Sequence, residues 1–410
     1  MENNKTEIQR IEFDPTSQGP LAGVRVLDLS RLVAGNILSV ILADFGADVV
    51  KVEGTKGDPL RDWLDAGQPL YWKTYGRNKR SIVLDLHIQA AREILLKLVE
   101  RSDVLIENFK PGTLEKMGLA PDLLLQINPM LVIVRISGFG QFGPYASLPG
   151  FGSLVEAMSG LADRTGFADR EPVLPPFPAA DMIAGMLGSS ATLMALRAVE
   201  HGLSKGQVVD LSLLEPLFSL LGPETMSYSL THSIKERSGS ASNTTSPRNV
   251  YKCKDGKYVA LSASMQSMAE RLFEVIGRPD MISDPKFKTN SDRLRNRDEV
   301  DEIVGGWFKD RNRSEALEFM RKAGVTAGPV YDIKDVLEDQ HFIEREIVVE
   351  VDDPDLGWIP TQNVVPKFTS TPGAIRSAAP KLSEHTDSIL GELGISEAEI
   401  SELKAQGVTI

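Results

Sequence analysis

The first third of the chain alternates short apolar runs with segments of helical periodicity, and this alternation restricts the fold more than any other feature. The runs have the length and composition of strands and fall at residues 24–29, 48–53, 81–86, 104–107 and 131–136. Residues 33–45 and 88–100 carry apolar side chains at helical spacing. Strands and helices that alternate at short intervals form parallel sheets with right-handed crossovers. The sequence therefore predicts an α/β fold with a Rossmann-like, doubly wound sheet, whose ligands bind beyond the carboxyl ends of the strands.

The rest of the chain predicts a second, smaller domain. A polar, aperiodic segment at residues 238–246 has the composition of a linker or loop. A hairpin with an Asp255-Gly256 turn follows it, and after that come charged helices to about residue 325. We predict a large domain, a small α+β domain and a C-terminal segment that returns to the large domain, over residues 1–225, 235–330 and 331–410.

Composition excludes several classes of function. The chain has 410 residues, 42% of them hydrophobic and 25% charged, as in soluble globular proteins. Its net charge of −12 has the wrong sign for a protein whose whole surface binds nucleic acid. A small anionic ligand is still possible, because it needs only a local basic pocket. The single cysteine, Cys253, permits neither an internal disulfide nor a cysteine metal cluster, and the five histidines lack ligand spacing. We expect no metal site.

The sequence also predicts where the protein resides. The N-terminal residues lack the apolar run of a secretory signal. The most apolar segment, residues 182–199, is interrupted by polar residues and by Arg197. We therefore expect a cytoplasmic protein that does not bind a membrane.

Gly138, Gly140 and Gly143 match Gly-x-Gly-x-x-Gly after a predicted strand. The dinucleotide-binding fingerprint belongs between the first strand and the first helix, whereas this motif follows the fourth or fifth strand. A nucleotide site is the less favoured interpretation. The favoured one is a flexible loop whose backbone closely approaches a ligand, and whose amides hold anionic intermediates.

Two short polar segments have alternative interpretations. Asn78, Lys79 and Arg80 stand before a predicted strand, and Asn108 and Phe109 follow another. They are either solvated turns or two loops that contact one anionic, partly aromatic ligand.

Asp181 begins the apolar helix predicted after a proline-rich stretch. It is either an ordinary N-cap or an ionised carboxylate that the helix N-terminus holds in a cleft as a nucleophile, and the two interpretations are compatible.

With these residues the sequence resembles the class III CoA-transferase family, which includes formyl-CoA transferase, carnitine CoA-transferase and alpha-methylacyl-CoA racemase. The matching segments keep their order over nearly the whole chain and read PLAGVRVLDLSRLVAG, LADFGADVVKVE, GDPLRDW, NKRSIVLDL, VLIENFKPG, SGFGQFGPY, AADMIAG and SEHTDSILGELG. The resemblance implies an interlocked homodimer whose substrates are acyl-CoA and a carboxylic acid acceptor, with no prosthetic group.

The resemblance also implies site residues. The family's nucleophilic aspartate falls on Asp181. Its CoA-contacting positions fall on Val33, Ala34, Leu84, Asn108, Phe109 and Lys116, to which the basic pair Lys79 and Arg80 is added. Trp63 and Tyr71 correspond to positions near the acyl group, and the region after Ser238 to a loop that covers the site.

The sequence departs from the family pattern at three places. Gly54 replaces the arginine that usually follows Lys-Val-Glu, and SGSASNTTS replaces a run of glycines in the covering loop. Phe151 stands where the racemase branch has a histidine, and epimerisation needs a second titratable group.

We therefore predict a CoA-transferase that works through an aspartyl mixed anhydride and an aspartyl-CoA thioester. Arg61 and Arg248 are either anchors for a second substrate carboxylate or surface arginines, and with the family's dicarboxylyl-CoA donors they favour a succinyl-CoA-type donor. The alternatives are a racemase of the same family and a catalytically silent CoA-binding protein.

Overall fold

The computed structural model describes residues 7–410 and divides them into two compact units. The first unit comprises the described residues up to 161, together with Leu174–Leu230 and Gln340–Ile410. The second comprises Ala162–Val173 and Thr231–Asp339.

A six-stranded parallel sheet forms the centre of the first unit. Its strands, in order across the sheet, are Lys79–Val83, Asp48–Glu53, Arg25–Asp28, Val104–Glu107, Val132–Ser137 and Gln207–Ser212. When the strands are numbered by their place in the sequence, their order across the sheet is 3-2-1-4-5-6. This is the doubly wound order, in which strands are added on one side of the first strand and then, from the fourth strand on, on the other side. The predicted α/β fold with a large parallel sheet is confirmed, and the carboxyl edge at that reversal is where such sheets bind ligands.

The sheet is covered on both faces because successive strand residues point to opposite sides. Val26 packs with the helices Ala34–Asp44 and Ala179–Glu200 on one face. Leu27, its neighbour in the strand, packs with the helix Gln89–Val99 and with residues of the C-terminal segment on the other. Strands buried on both faces are nearly continuous apolar runs, which explains why the sequence revealed them.

The helix Ala179–Glu200 is the one helix of the described residues that is long and apolar enough to span a membrane. Core helices also have this composition, and here one face is buried against the helix Ala34–Asp44. Their approach is close because a Cβ on Gly185 would lie 2.7 Å from the carbonyl oxygen of Ala34. A Cβ on Gly188 would likewise lie 2.7 Å from Leu38, so small residues fix the register of the two helices.

The first unit also contains a small sheet in which Val348–Asp353 lies between Arg10–Ile11 and Gly357–Gln362. The strand Arg10–Ile11 has only two residues and therefore shows no periodicity in the sequence. The remaining helices of this unit are Leu70–Tyr75, Thr113–Lys116, Pro121–Ile127, Gly152–Met158, Leu214–Ser219, Gln340–Glu344, Thr386–Glu392 and Glu397–Ala405, with a 3-10 turn at Pro59–Asp62. Two further helices, Leu161–Arg164 and Glu224–Thr231, each contain a point in the sequence at which one unit ends and the other begins.

The second unit has its own antiparallel sheet and core. The predicted hairpin is present as Arg248–Lys252 and Tyr258–Ser262, and Ala327–Pro329 adds a third strand. The helices are Gln266–Val275, Asn290–Arg295, Arg297–Lys309, Arg313–Lys322 and Ile333–Glu338, with a 3-10 turn at Pro279–Ile282. Phe273, Phe287 and Phe308 are buried in the core that the sheet and helices enclose.

Candidate active site

A cleft of about 380 Å³ opens at the carboxyl edge of the large sheet, where the strand order reverses. Its walls come from the loops after the first, fourth and fifth strands and from the first turn of the helix Ala179–Glu200. The lining residues that matter below are Arg31, Ala34, Asn108, Phe109, Lys110, Gly138, Phe151 and Asp181. Segments far apart in sequence thus meet at the place that the fold class predicts for a ligand.

Asp181 presents a carboxylate to this cleft. It is the third residue of its helix and Pro178 occupies the N-cap position, so the interpretation of Asp181 as an N-cap is wrong, while the other one, a carboxylate at the helix N-terminus, remains. The backbone N–H groups of Ala34 and of Asp181 itself donate to the carboxylate. Burial is the main cause that raises the pKa of Asp181 from its ordinary value to about 6, and those hydrogen bonds oppose the rise.

A second carboxylate lies beside Asp181. Glu156, in the helix Gly152–Met158, is buried, and its Oε1 accepts a hydrogen bond of 3.1 Å from the backbone N–H of Ala180. Its negative charge further raises the pKa of Asp181, because like charges disfavour ionisation.

Glycines leave room around the carboxylate. A Cβ on Gly152 would lie 2.7 Å from Oδ2 of Asp181, and one on Gly138 would lie 2.5 Å from the Cα of Gly150. Gly138 therefore allows two backbone segments to pack closely, a contact within the protein rather than the approach to a ligand that was predicted for the glycine motif.

The other two glycines of the motif turn the chain. Gly140 and Gly143 have φ values of +91° and +96°, and neither lines the cleft. The N–H of Gly140 donates to Oγ of Ser137 at 3.0 Å, and that of Gln141 donates to Asp210. These contacts correct the expectation that amides around Gly140 hold anionic intermediates, because these donors have partners within the protein.

The loop after the first strand is held at several points. Asn108 donates through its side chain to the carbonyl oxygen of Arg31 at 2.7 Å and accepts from the backbone N–H of Arg31 at 2.8 Å. Leu32 has φ +62°, and its N–H donates to Oδ1 of Asp58 at 2.9 Å. Val33 and Ala34 are both buried, and Ala34 lines the cleft. The cleft wall is thus a preorganised loop.

A second pocket of about 160 Å³ lies along the same edge and shares Arg31 and Phe109 with the cleft. Leu84 and Gly54 line it. Lys116 is exposed, and its neighbour Met117 contributes to the pocket wall. The two pockets provide an elongated binding surface, with Asp181 in the larger one.

Residues 21–386 of the chain match the family described as CoA-transferase family III. The chain belongs to this family. It is 38% identical to the succinyl-CoA–D-citramalate CoA-transferase of Chloroflexus aurantiacus, over 95% of this chain and 98% of the relative. It is also 38% identical to the succinyl-CoA–L-malate CoA-transferase beta subunit of that organism, over 96% of this chain and 99% of the relative. A crystal structure of a CaiB/BaiF family protein from Brucella suis is similar, with a TM-score of 0.81 and 33% identity, over 92% of this chain and 100% of that one.

Membership confirms the resemblance inferred from the motifs and the prediction of a CoA-transferase that uses CoA thioesters. In this member of family III, the structure brings Ala34, Leu84, Asn108, Phe109, Gly138 and Asp181 to the two pockets.

Lys79 and Arg80 do not reach the pockets of this CoA-transferase, which corrects their assignment to the CoA site. Lys79 has no exposed side-chain surface and its ammonium pairs with Asp28 at 3.4 Å, while burial lowers its pKa to about 8. Arg80 pairs with Asp48 at 2.7 Å and with Glu392 at 2.6 Å. Both residues begin a strand, and the beginning of a parallel strand lies at the edge opposite to the ligand site.

Trp63 and Tyr71 contact each other edge to face, with ring centroids 5.6 Å apart, and neither lines the cleft around Asp181. Arg61 binds Glu53 through two contacts of 2.8 Å and stacks on Trp72, 3.7 Å from the ring centroid. Arg61 thus supports the fold, which corrects its proposed use as a substrate anchor. Arg248 lies in a strand of the second unit.

The motif analysis missed Arg31, Gly152 and Glu156. Arg31 stands within a matched motif, in a loop that the fold class marks as functional, so its position was available as a signal. Gly152 and Glu156 gave no sequence signal because their importance comes from contacts with the first turn of the helix Ala179–Glu200.

Proposed function

We propose that Asp181 is the covalent nucleophile of an acyl-CoA:carboxylate CoA-transferase. The observation that carries this proposal is a carboxylate at the N-terminal turn of a helix, held by the N–H of Ala34 and open to a cleft at the reversal of the sheet. A pKa of about 6 leaves this carboxylate about nine-tenths ionised at pH 7, so it is ready to attack.

The reaction proceeds through two kinds of covalent intermediate. A carboxylate oxygen of Asp181 attacks the thioester carbonyl of the donor, the C–S bond breaks, and the CoA thiolate leaves. The thiolate then attacks the aspartyl carbonyl of the mixed anhydride, which forms an aspartyl-CoA thioester and releases the donor acid. The acceptor carboxylate repeats these steps in reverse, and CoA departs as the new thioester. The thioester bond is exchanged rather than hydrolysed, so the cleft has to exclude water while CoA remains bound.

We propose a succinyl-CoA-type donor and a small carboxylic acid acceptor. The two Chloroflexus relatives have names that specify succinyl-CoA as donor and citramalate or malate as acceptor. Both relatives align with this chain over nearly their whole length, and succinyl-CoA is the donor that their two names have in common.

The racemase alternative lacks a second base. Phe151 lines the cleft where the racemase branch has a histidine, and the titratable lining residues are Arg31, Lys110 and Asp181. Arginine and lysine are protonated at neutral pH, and the carboxylate of Glu156 is buried and does not line the cleft, so the lining residues offer no second base to exchange an α-proton with Asp181.

The experiment combines trapping with isotope exchange. Incubation with succinyl-CoA followed by hydroxylamine is expected to leave a hydroxamate at position 181, found by peptide mapping. Labelled succinate is expected to enter succinyl-CoA, and an α-proton of a branched acyl-CoA is not expected to exchange with solvent deuterium. CoA binding without label exchange would instead favour the catalytically silent alternative, and α-proton exchange would favour the racemase.

We also propose that the enzyme is a cytoplasmic homodimer. Met186, Leu187, Leu193 and Met194 are between 40% and 71% exposed, and their seven-residue spacing places them on one side of the helix Ala179–Glu200. A large apolar surface of this kind is typical of a face that a second chain covers. Sedimentation equilibrium is expected to give twice the chain mass, and Met194→Glu is expected to favour the monomer.

A further inference from the structure

Arg31 is a cation without a carboxylate partner at the centre of the binding surface. Within residues 7–410, no carboxylate oxygen lies within 4.0 Å of its guanidinium. Its side chain is exposed, and its guanidinium carbon lies 5.7 Å from the centroid of the Phe109 ring. It is also the cation that the cleft and the second pocket share.

The other arginines near this edge have partners. Arg61 binds Glu53, and Arg135 binds Glu107 at 2.7 Å and Glu115 at 2.8 Å. In a chain of net charge −12, an arginine without an acidic partner that lines the same cleft as Asp181 indicates a place where a ligand supplies the anion.

The backbone around Arg31 is fixed before any ligand binds. Asn108 binds both the N–H and the carbonyl oxygen of Arg31, and Asp58 holds the N–H of Leu32. Ala34, three residues further on, donates to Asp181. One short loop therefore positions both the guanidinium and the reacting carboxylate.

We propose that Arg31 binds the second carboxylate of a dicarboxylyl substrate, so that the acyl group is held between Arg31 and Asp181. This inference rests on the proposed succinyl-CoA-type donor. A guanidinium pairs with a carboxylate through two parallel hydrogen bonds, and Phe109 keeps its plane oriented by stacking. Lys110 also lines the cleft, but its ammonium is a point charge on a flexible stem and lacks that geometry.

A donor comparison tests the proposal. Succinyl-CoA and butyryl-CoA have acyl chains of the same length, and only the first carries a distal carboxylate. Arg31→Gln is expected to lower kcat/KM for succinyl-CoA by about 20- to 100-fold, and that for butyryl-CoA by no more than about threefold. Arg31→Lys keeps the charge without the fork and is expected to give an intermediate loss for succinyl-CoA.

Lys110→Gln is the matched control because it removes one positive charge from the same cleft. It is expected to lower kcat/KM for both donors by the same small factor, and the affinity of Arg31→Gln for free CoA is expected to equal that of the wild type. An equal loss for both donors in Arg31→Gln, together with weaker CoA binding, would assign Arg31 to a CoA phosphate and overturn the proposal. An unchanged preference for succinyl-CoA would overturn it as well.

The wild-type measurement separates the two levels of inference. If the wild-type enzyme transfers CoA from butyryl-CoA but not from succinyl-CoA, the proposed donor class is wrong and this inference is overturned with it. If the wild type prefers succinyl-CoA and Arg31→Gln keeps that preference, the donor class stands and the assignment of Arg31 alone is wrong.

Discussion

Glu156 and Asp181 place two carboxylates at one helix N-terminus. Oε1 of Glu156 accepts the backbone N–H of Ala180 at 3.1 Å, and Asp181 is the next residue of that turn. Because Glu156 is buried, its charge is poorly screened and acts on the ionisation of Asp181. The protein thus raises the pKa of its proposed nucleophile to about 6, above the ordinary value for an aspartate.

The first prediction concerns pH. Attack requires the ionised form of Asp181, so kcat/KM is expected to rise with pH through a midpoint near 6 and then to level off. Glu156→Gln keeps an acceptor for the N–H of Ala180 but removes the charge, and is expected to move this midpoint to lower pH. Glu115→Gln, which removes a carboxylate bound to Arg135 instead, serves as the control. Equal midpoints for wild type and Glu156→Gln would show that the two carboxylates are not coupled.

The second prediction separates activity from stability. Asp181→Asn is expected to lower kcat by about 10⁴-fold or more, with CoA affinity retained. The folded state raises the pKa of Asp181, so the ionised carboxylate costs stability above pH 6, and this cost disappears as the pH falls toward the unfolded value near 4. Asp181→Asn is therefore expected to raise the free energy of unfolding at pH 7 by about 1–3 kcal/mol. Urea titrations at pH 7 and pH 4.5 measure the difference, which has to shrink at the lower pH if burial of the charge is its cause.

The third prediction concerns the space above Asp181. Gly152→Ala places a Cβ 2.7 Å from Oδ2 and displaces the carboxylate, so kcat is expected to fall by about 10- to 100-fold. Gly391→Ala, in the helix Thr386–Glu392 with no atom near the added Cβ, is the control and is expected to keep wild-type kcat. Steady-state kinetics measure both variants. Normal turnover in Gly152→Ala would mean that the carboxylate reacts from another position.

The fourth prediction uses the departure at Gly54. This glycine lines the second pocket, and a Cβ built on it meets no atom within 4 Å. Gly54→Arg supplies the cation that the resemblance to the family implies after Lys-Val-Glu, and is expected to lower the Kd for CoA by about two- to fivefold at low salt. Titration calorimetry at low and high salt measures the gain, which is expected to diminish at high salt. Gly54→Ala is the control, and an equal gain in that variant would exclude a charge effect.

The sequence predicted the large sheet because its strands are buried on both faces. Val26 and Leu27 face opposite layers and are both apolar, so the run was visible without knowledge of the fold. The strand Arg10–Ile11 was not visible because two residues show no periodicity, and its partner Val348–Asp353 is far away in sequence.

Some of the pocket residues were predicted from their place directly after the end of a strand. Asn108 and Phe109 follow a strand and lie in the pockets. Lys79 was wrongly assigned to the CoA site because a lysine before an apolar run looks like an accessible cation in the sequence. Its buried partner, Asp28, comes from another strand of the sheet and gives no signal nearby in the sequence. The helix start was also misplaced, since Ala179 and Ala180 form helix readily and leave Asp181 inside the first turn.

Main-chain atoms, rather than side chains, lie against the carboxylate of the proposed nucleophile, Asp181. The N–H of Ala34 binds Asp181, and the carbonyl oxygen of the same residue packs closely against Gly185 one helical turn further on. Mutation of the cleft walls leaves those atoms in place. If Asp181 is the nucleophile, a lineage with this architecture is free to accept new acids by exchanging the side chains of the cleft, while the backbone that positions the carboxylate is inherited unchanged.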